Sequence, residues 1–301
     1  MSFSTSRTAK AFIPGATLVL TGLLLGGNTA QAQISTPQPS PKASVMQRVG
    51  LTDVTVSYGR PSLRTRMGFG DANTKAVVNY GQRWRTGANN STLIKFSDDV
   101  TVEGQKVPAG EYAIYTVPGK TDWQVVLSKN TKLGSDVDGY KDDENVASFK
   151  VKPYKLGEKV ETFTIDFTDL TPATANVAML WDMSGVKFKI MSDVDAKVMA
   201  QINAKVINNA SPTSGDLAAA AVYYLDNERD MKQALAWMQK ANATDPKFWN
   251  VHTEAKIRMK MKDYKGAMAS AEQSKKLATE AKNMDYVKMN DELMTDAKKA
   301  K

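Results

Sequence analysis

The sequence predicts an α+β protein divided by segment, with an antiparallel β-sandwich or barrel-like domain over residues 43–190 and an all-α region of helical hairpins over residues 191–301. Two patterns predict this division. Apolar and polar residues alternate with period two in the first segment, as in strands with one solvated face. In the second segment Ala is abundant and ten of the 15 Met residues follow position 190, and both residue types favour helices.

Residues 1–32 have the composition of a secretory signal peptide. The basic residues Arg7 and Lys10 precede an apolar stretch, and Ala30-Gln31-Ala32 fits a cleavage site. The apolar stretch is too short, and too interrupted by Pro and Gly, for a membrane span. We therefore expect cleavage after Ala32, export to the periplasm or the exterior of a bacterium, and no transmembrane segment in the mature chain.

Composition and charge exclude several functions. The chain carries 40 Lys and Arg against 32 Asp and Glu, a formal net charge of +8, and the two signs are interspersed along its length. Nucleic-acid surfaces need concentrated basic charge, so we expect no nucleic-acid partner. The absence of Cys removes disulfides, thiolate nucleophiles and Cys-type metal sites. No motif indicates a cofactor, and we expect none.

After the leader, residues 33–42 are too rich in Pro for a helix or a central strand and form a linker. Short apolar stretches then predict the strands of the β domain. These stretches are Val54–Tyr58, Thr92–Phe96, Val100–Val102, Glu111–Val117, Trp123–Leu127, Ala147–Val151, Phe163–Phe167, Asn176–Trp181 and Val186–Ile190. The turns predicted between strands include Glu103-Gly104, Pro108-Ala109-Gly110, Pro118-Gly119 and Ser184-Gly185. Their close spacing, with no helical pattern between them, favours an antiparallel arrangement.

The helical region begins with two predicted helices. The first is capped by Asp193 or Asp195 and runs to about Asn208. The second starts at Ser211-Pro212-Thr213-Ser214 and ends near Asp226.

Two later segments are similar at an offset of 33 residues. Asp230-Met231-Lys232-Gln233-Ala234 corresponds to Asp263-Tyr264-Lys265-Gly266-Ala267, Ala241 corresponds to Ser274, and Asp245-Pro246 ends the first unit. The pattern resembles degenerate tetratricopeptide helix pairs over about residues 213–281. A generic array of helical hairpins remains the alternative.

Three motifs in the β domain are unusually specific. They are Tyr58-Gly59-Arg60-Pro61, Tyr80-Gly81-Gln82-Arg83-Trp84-Arg85-Thr86-Gly87-Ala88-Asn89, and Pro108-Ala109-Gly110-Glu111-Tyr112 continuing to Pro118-Gly119. Together with Ser40-Pro41 and Trp123 they resemble the domain of unknown function 2911 family over about residues 40–190. Where that family usually has Glu, this chain has Asn90, and its Trp-Gly segment is Leu133-Gly134 here. The resemblance implies an exported bacterial protein and supports the domain boundary more than any activity.

The same motifs place Arg side chains among aromatic rings. Guanidinium groups beside aromatic rings suit carboxylates, phosphates or sugar rings. The candidate ligand-binding residues are Tyr58, Arg60, Tyr80, Trp84, Arg85 and Asn89. The alternative is internal bracing, in which Trp84 fills the core while Arg85 and Asn89 hold a long loop.

Metal and catalytic sites receive less support. Asp136, Asp138 and Asp142 form a weak calcium candidate in an acidic loop, although their spacing differs from the helix-loop-helix calcium motif. The only His, His252, falls in the helical region, so no Ser-His-Asp arrangement can form within the β domain. We therefore assign no catalytic residue.

The favoured function is that of a non-enzymatic envelope protein, although an enzyme stays open. Its helical array would bind a protein or peptide partner, and its β domain would bind a ligand near the Arg–Trp cluster. The first alternative is a carbohydrate-active or sugar-binding protein, with Tyr80, Trp84 and Trp123 as the stacking platform and Glu111 or Asp53 as acid–base candidates. Beside a protein or peptide partner, a glycan or an anionic small molecule is a candidate ligand. The second alternative is a purely structural envelope component.

Overall fold

The structure is a computed structural model that describes residues 1–3, 36–134, 137–243 and 245–300 of the chain. The chain divides into two compact units, residues 1–38 and 39–301. The described residues of the first unit form no helix or strand. Apart from residues 1–3, the predicted signal peptide and its cleavage site lie outside the described residues.

The β region of the second unit contains two antiparallel sheets. In chain order the strands are β1 (Lys42–Val49), β2 (Thr52–Gly59), β3 (Phe69–Gly70), β4 (Val78–Asn79), β5 (Thr92–Phe96), β6 (Val100–Val102), β7 (Gln105–Val107), β8 (Gly110–Val117), β9 (Trp123–Ser128), β10 (Asn145–Val151), β11 (Tyr154–Thr168) and β12 (Thr174–Ser192). The six-stranded sheet has the order β1-β2-β5-β8-β9-β10, and the four-stranded sheet has the order β11-β12-β6-β7. The two-residue strands β3 and β4 pair in parallel.

The two sheets share one apolar core. Alternate residues of β2, β5, β8 and β9 face alternate residues of β11 and β12, and the buried set forms a single cluster. Within the described residues the sheets do not close into a barrel. The predicted fold class is therefore confirmed, in the form of two facing antiparallel sheets followed by helices.

Hydrophobic alternation located six of the twelve strands in the described residues to within two residues at each end. β5 and β6 have the predicted bounds, β8, β9 and β10 are only one or two residues longer than predicted, and β2 extends the prediction by two residues at its start and one at its end. Four strands were missed, and two of these, β3 and β4, have only two residues each. β1 follows a Pro-rich segment, and its alternation of half-buried and exposed residues is weak. β7 has three residues, too few for a pattern.

The predicted turn at Ser184-Gly185 is wrong. β12 runs straight through both residues, and Gly185 pairs with Tyr154 of β11. A Cβ atom on Gly185 would lie 2.6 Å from the Tyr154 ring. The Tyr154 ring packs directly over the strand at this residue, and a glycine inside a strand marks such a close approach as well as a turn.

One side chain closes the gap between the two sheets at an edge. Gln105 of β7 donates to the carbonyl oxygen of Ser148 on β10 at 2.8 Å and accepts from the Ser148 amide at 3.2 Å. The carboxamide thus occupies backbone groups of β10 that a further strand would otherwise pair with.

Six α-helices follow in the described residues. They are α1 (Val194–Ile202), α2 (Ser214–Asp226), α3 (Met231–Asn242), α4 (Phe248–Lys260), α5 (Tyr264–Glu280) and α6 (Met284–Ala300). A turn of π-helix, Asn203–Ile207, extends α1 to the predicted end near Asn208. Of the two predicted caps for α1, Asp193 is the one that accepts the Ala196 amide.

The 33-residue offset has a clear structural meaning. Asp230 and Asp263 accept amide hydrogen bonds at the first turns of α3 and α5. Ala234 and Ala267 are both fully buried, as are small residues further along each helix, and α3 and α5 pack closely on their neighbours. The two segments therefore play equivalent roles in two successive hairpins.

Polar contacts dock α1 against the sandwich. Lys197 of α1 lies 2.9 Å from a carboxylate oxygen of Asp98 and donates to the Thr52 hydroxyl at 3.1 Å. Thr52 in turn hydrogen-bonds Ser192 at 2.8 Å, and Val194 packs over Gly50 in the turn between β1 and β2. These contacts join the first helix to the first hairpin of the β region.

A buried polar chain holds the last three helices together. Asn290 of α6 donates to the hydroxyl of Ser274 on α5 at 2.8 Å, and Ser274 donates to the carbonyl oxygen of Phe248 on α4 at 2.7 Å. The side-chain oxygen of Asn290 lies 2.8 Å from Nδ1 of His252. Because a carboxamide oxygen can only accept, Nδ1 of His252 carries the proton. Burial lowers the pKa of His252 below its ordinary value.

We expect acid to weaken this packing. Because His252 resists protonation when folded, the unfolded chain binds a proton below about pH 6.5 that the folded chain does not. The melting temperature followed by far-ultraviolet circular dichroism should fall between pH 7 and pH 5.5. His252→Gln should flatten this dependence, since the chain has one His. Equal pH dependence in both proteins would contradict the assignment.

Candidate functional site

The first motif joins the two sheets. The Tyr58 hydroxyl accepts from the Ile165 amide at 2.9 Å and donates to the Ile165 carbonyl at 3.2 Å. Arg60 donates from Nε to the Phe163 carbonyl at 3.0 Å and from Nη2 to the Thr164 hydroxyl at 2.8 Å. Both side chains reach from the end of β2, in the larger sheet, to β11, in the smaller sheet.

The second motif inserts a loop between the sheets. The Trp84 backbone exchanges hydrogen bonds of 2.7 and 2.9 Å with Thr116 of β8, and the indole N–H donates to the Gly87 carbonyl at 3.0 Å. The Trp84 ring is 7% exposed and stacks on Trp181, with centroids 5.6 Å apart and planes at 13°. Phe69 and Phe163 meet the same ring edge-on. Trp84 is therefore part of the core.

A close backbone approach fixes the far end of that loop. A Cβ atom on Gly59 would lie 2.2 Å from the Ala88 carbonyl oxygen, so only glycine fits beside the loop. Asn89 has φ +65°, in the left-handed region that Asn tolerates, and its side chain donates to the Ser40 carbonyl at 3.1 Å. The loop is thus held on both sides by the chain itself.

The third motif forms a turn that braces itself. The Tyr112 hydroxyl donates to the Pro108 carbonyl at 2.9 Å, and its ring lies against Gly110. The Ala109 amide donates to Asp99 at 2.8 Å. Burial raises the pKa of Tyr112, which keeps the hydroxyl a hydrogen-bond donor.

The structure brings only two of the six predicted ligand-binding residues to one cavity. Tyr58 and Asn89 line a depression of about 400 Å³, with Ser44, Ser57 and Leu93 on its walls, which we call the Asn89 depression. The other four residues lie elsewhere: Arg60 against β11, Trp84 in the core, Tyr80 half-buried near Lys120, and Arg85 half-buried beside Trp84.

The residues of the carbohydrate alternative are also separated. Trp123 is 3% exposed and packs on Phe69 in the core. Asp53 pairs across the strands with Arg48, and Glu111 lies opposite Lys95. Neither carboxylate is positioned against a second carboxylate by these pairings.

The acidic loop packs on the outer face of the larger sheet. Leu133, Val137 and Tyr140 cover Tyr115 and its buried neighbours, and the Arg83 guanidinium stacks 3.4 Å from the Tyr140 ring centroid. Burial raises the pKa of both tyrosines.

The predicted calcium ligands are not seen together. Asp136 lies outside the described residues, and Asp142 is an exposed residue 3.9 Å from Arg83. In the described part of the chain, no group of three His, Asp or Glu side chains could hold a metal ion, and Asp138 therefore belongs to no such group.

The two departures from the family pattern occupy defined places. Asn90 is exposed at the Asn89 depression. Leu133 packs against the outer face of the sheet, and Gly134, at φ +60°, accepts the Ser91 hydroxyl at 3.1 Å.

The helical region carries a groove that sequence reasoning did not locate. Residues of α2, α4 and α6 line a cavity of about 290 Å³, which we call the three-helix groove: Leu225, Lys256, Met259, Lys260 and Leu293. The helix-pair pattern predicted a binding role for the helical array but no residues for it. These five positions come from three helices that are not consecutive in the chain, so no local pattern marks them.

Two exposed apolar residues extend the face of the groove. Trp249 of α4 is 45% exposed and lies seven residues before Lys256. Met289 of α6 is 40% exposed and lies four residues before Leu293. These spacings place each pair on one face of its helix.

A larger cleft of about 1040 Å³ lies where the sandwich meets α1 and α2, and three of its four carboxylates serve the fold. Asp193 caps α1, and Asp99 holds the Ala109 amide. Asp195 binds Tyr223 and Arg229, and the hydrogen bond from Tyr223 lowers the pKa of Asp195. Burial, together with the Asp195 carboxylate, raises the pKa of Tyr223 to about 12.

Comparison with known proteins gives one match. A family model described as a protein of unknown function (DUF2911) matches residues 40–190, the whole β region from just before β1 to near the end of β12. No curated protein and no solved structure matches the chain. In the described residues no helix is long and apolar enough to cross a membrane.

We expect Arg60→Ala to destabilise the protein by about 1.5–3 kcal/mol, because two hydrogen bonds from a half-buried guanidinium to β11 are lost. The measurement is urea unfolding followed by tryptophan fluorescence. Arg48→Ala is the matched control, because Arg48 is exposed and its ion pair with Asp53, at 3.9 Å, is long and exposed to solvent. Arg48→Ala should change the free energy of unfolding by no more than about 0.5 kcal/mol. Equal effects would show that Arg60 does not brace the sheets.

Proposed function

Because the chain belongs to the DUF2911 family, whose function is unknown, we propose a role from its own residues: an exported, non-enzymatic protein that binds a protein or peptide partner through its helical region. Export rests on the composition of residues 1–32. The division at residue 191 rests on the change from strands to helices and on the end of the family match at residue 190.

The three-helix groove carries the proposal. Three of its five lining residues are apolar, and α2 and α4, which supply four of the five, pack in the main apolar cluster of the helical region. Its volume of about 290 Å³ lies at the lower limit of the roughly 300–1,000 Å³ of small-molecule pockets. A groove of this size suits one or two side chains of a peptide segment better than a whole small ligand.

The exposed rings and thioethers beside the groove supply contact area. Trp is among the residues that most often dominate binding energy at interfaces, and Met adapts its shape to different partners. Trp249 and Met289 are placed to extend contact along α4 and α6. The degenerate tetratricopeptide pattern supports the same function, since arrays of helix pairs commonly present an extended concave surface to a partner.

The Asn89 depression supports a second, smaller proposal, a ligand site on the β domain. It combines the Asn89 amide and the Ser44 and Ser57 hydroxyls with an apolar wall at Leu93. A ligand with several hydrogen-bonding groups, such as a glycan fragment, fits this lining, which also includes the cationic side chain of Lys42. Stacking of a sugar on Trp84 or Trp123 has no support from their positions, because both rings are in the core.

We expect the groove to bind short peptides, and a display library of random 12-residue peptides selected on the full chain provides the probes. Met259→Trp should weaken binding of the selected peptides at least tenfold, since the larger side chain fills the cavity without changing charge. Trp249→Ala should weaken it by a similar factor. Affinity is measured by fluorescence anisotropy.

The control is Met284→Trp, on α6 but outside the groove, which should leave affinity unchanged. Circular dichroism checks that each variant is folded. If folded Met259→Trp binds the selected peptides as the wild type does, or if no peptide is selected, the proposed site is wrong.

A further inference from the structure

The charges that line the three-helix groove are all positive. Lys256 and Lys260 belong to α4, and the other lining residues are apolar. Lys256 forms no ion pair with any described residue. Lys260 pairs with Glu228 at 2.8 Å, but both side chains of this pair are more than half exposed. Exposed pairs contribute little and exchange partners readily, so both ammonium groups are available to a ligand.

Apart from Glu228, the nearby carboxylates of α2 and α6 do not pair with these lysines. On α6, Asp291 pairs with Lys275 of α5 at 2.7 Å, and Glu292 lies 3.9 Å from Lys288. Both acidic residues line a different face of the helix. Asp226, at the end of α2, lines the cleft toward the sandwich. The groove is therefore a basic and apolar surface in which Lys260 has an exposed partner, Glu228, and Lys256 has no ion pair among the described residues.

We propose that the three-helix groove selects an acidic peptide segment, in which carboxylates meet Lys256 and Lys260 while a neighbouring aliphatic side chain packs between Leu225, Met259 and Leu293. This inference rests on the proposed function, since it names the chemistry of the same site's partner. Complementary charge fixes the orientation of the segment and raises its association rate.

The spacing of the two lysines sets the spacing of the acidic residues. Positions four apart on a helix place their Cβ atoms about 5–6 Å apart. Residues i and i+2 of an extended peptide are about 6.4–6.8 Å apart on one side. Two carboxylates separated by one residue in an extended segment therefore match Lys256 and Lys260.

The experiment uses three matched sets of synthetic 12-residue peptides with the same Leu and Met positions. One set carries paired Asp or Glu separated by one residue, one carries Lys at those positions, and one carries Gln. Each set is titrated against the full-length wild type, Lys256→Glu/Lys260→Glu, Met259→Trp, and Lys232→Glu/Lys240→Glu. The last variant places the same charge change on α3, which does not line the groove.

The wild type should bind the acidic set at least tenfold more tightly than the Gln set. It should bind the Lys set most weakly of the three. The Lys256→Glu/Lys260→Glu variant should reverse this order, and Lys232→Glu/Lys240→Glu should keep it. If all three sets bind equally and only Met259→Trp abolishes binding, the groove binds peptides but the acidic selectivity is wrong. If no set binds, or if Met259→Trp has no effect, the proposed function fails together with the selectivity.

Discussion

Burial of the Trp84 ring between the two sheets is the constraint on which the β-sandwich depends. The ring stacks on Trp181 of the smaller sheet, while its backbone pairs with Thr116 of the larger sheet. A single residue thus contacts both layers, and the loop that follows it must turn back sharply. The left-handed conformation of Asn89 and the close approach of the loop to Gly59 follow from that insertion.

This constraint explains why the most specific motifs of the chain face inward. The hydroxyl of Tyr58 and the guanidinium of Arg60 are satisfied by β11, and Tyr112 returns to the backbone of its own turn. The Tyr58 hydroxyl has its one donor taken, and two of the five N–H donors of Arg60 are used by β11. In the described residues, the candidate binding surfaces that remain are the Asn89 depression and the three-helix groove. Lys197 of α1 attaches the helical region to the sandwich.

Local sequence patterns predicted the strands and helix starts that depend on interactions between residues close together in the chain. Alternation located β5 and β6, and side-chain caps located the starts of α1 and α2, because these depend on neighbours a few residues away. The turn predicted at Gly185 was wrong because a glycine inside a strand marks a close approach of another group as well as a turn. The groove was not predictable, since Leu225, Met259 and Leu293 meet only after three helices have packed. The Arg–aromatic pattern around Trp84 was compatible with a site or with bracing, and only burial distinguishes the two.

The most direct test of this account is hydrogen exchange of the Trp84 indole N–H, followed by nuclear magnetic resonance and assigned by the signal that Trp84→Phe removes. The hydrogen bond to Gly87 and the buried ring predict exchange as slow as that of the amides in the middle of β8. The exposed Trp249 provides a fast reference within the same molecule. Exchange of Trp84 as fast as that of Trp249 would show that the ring is open to solvent and would contradict the central role given to its burial.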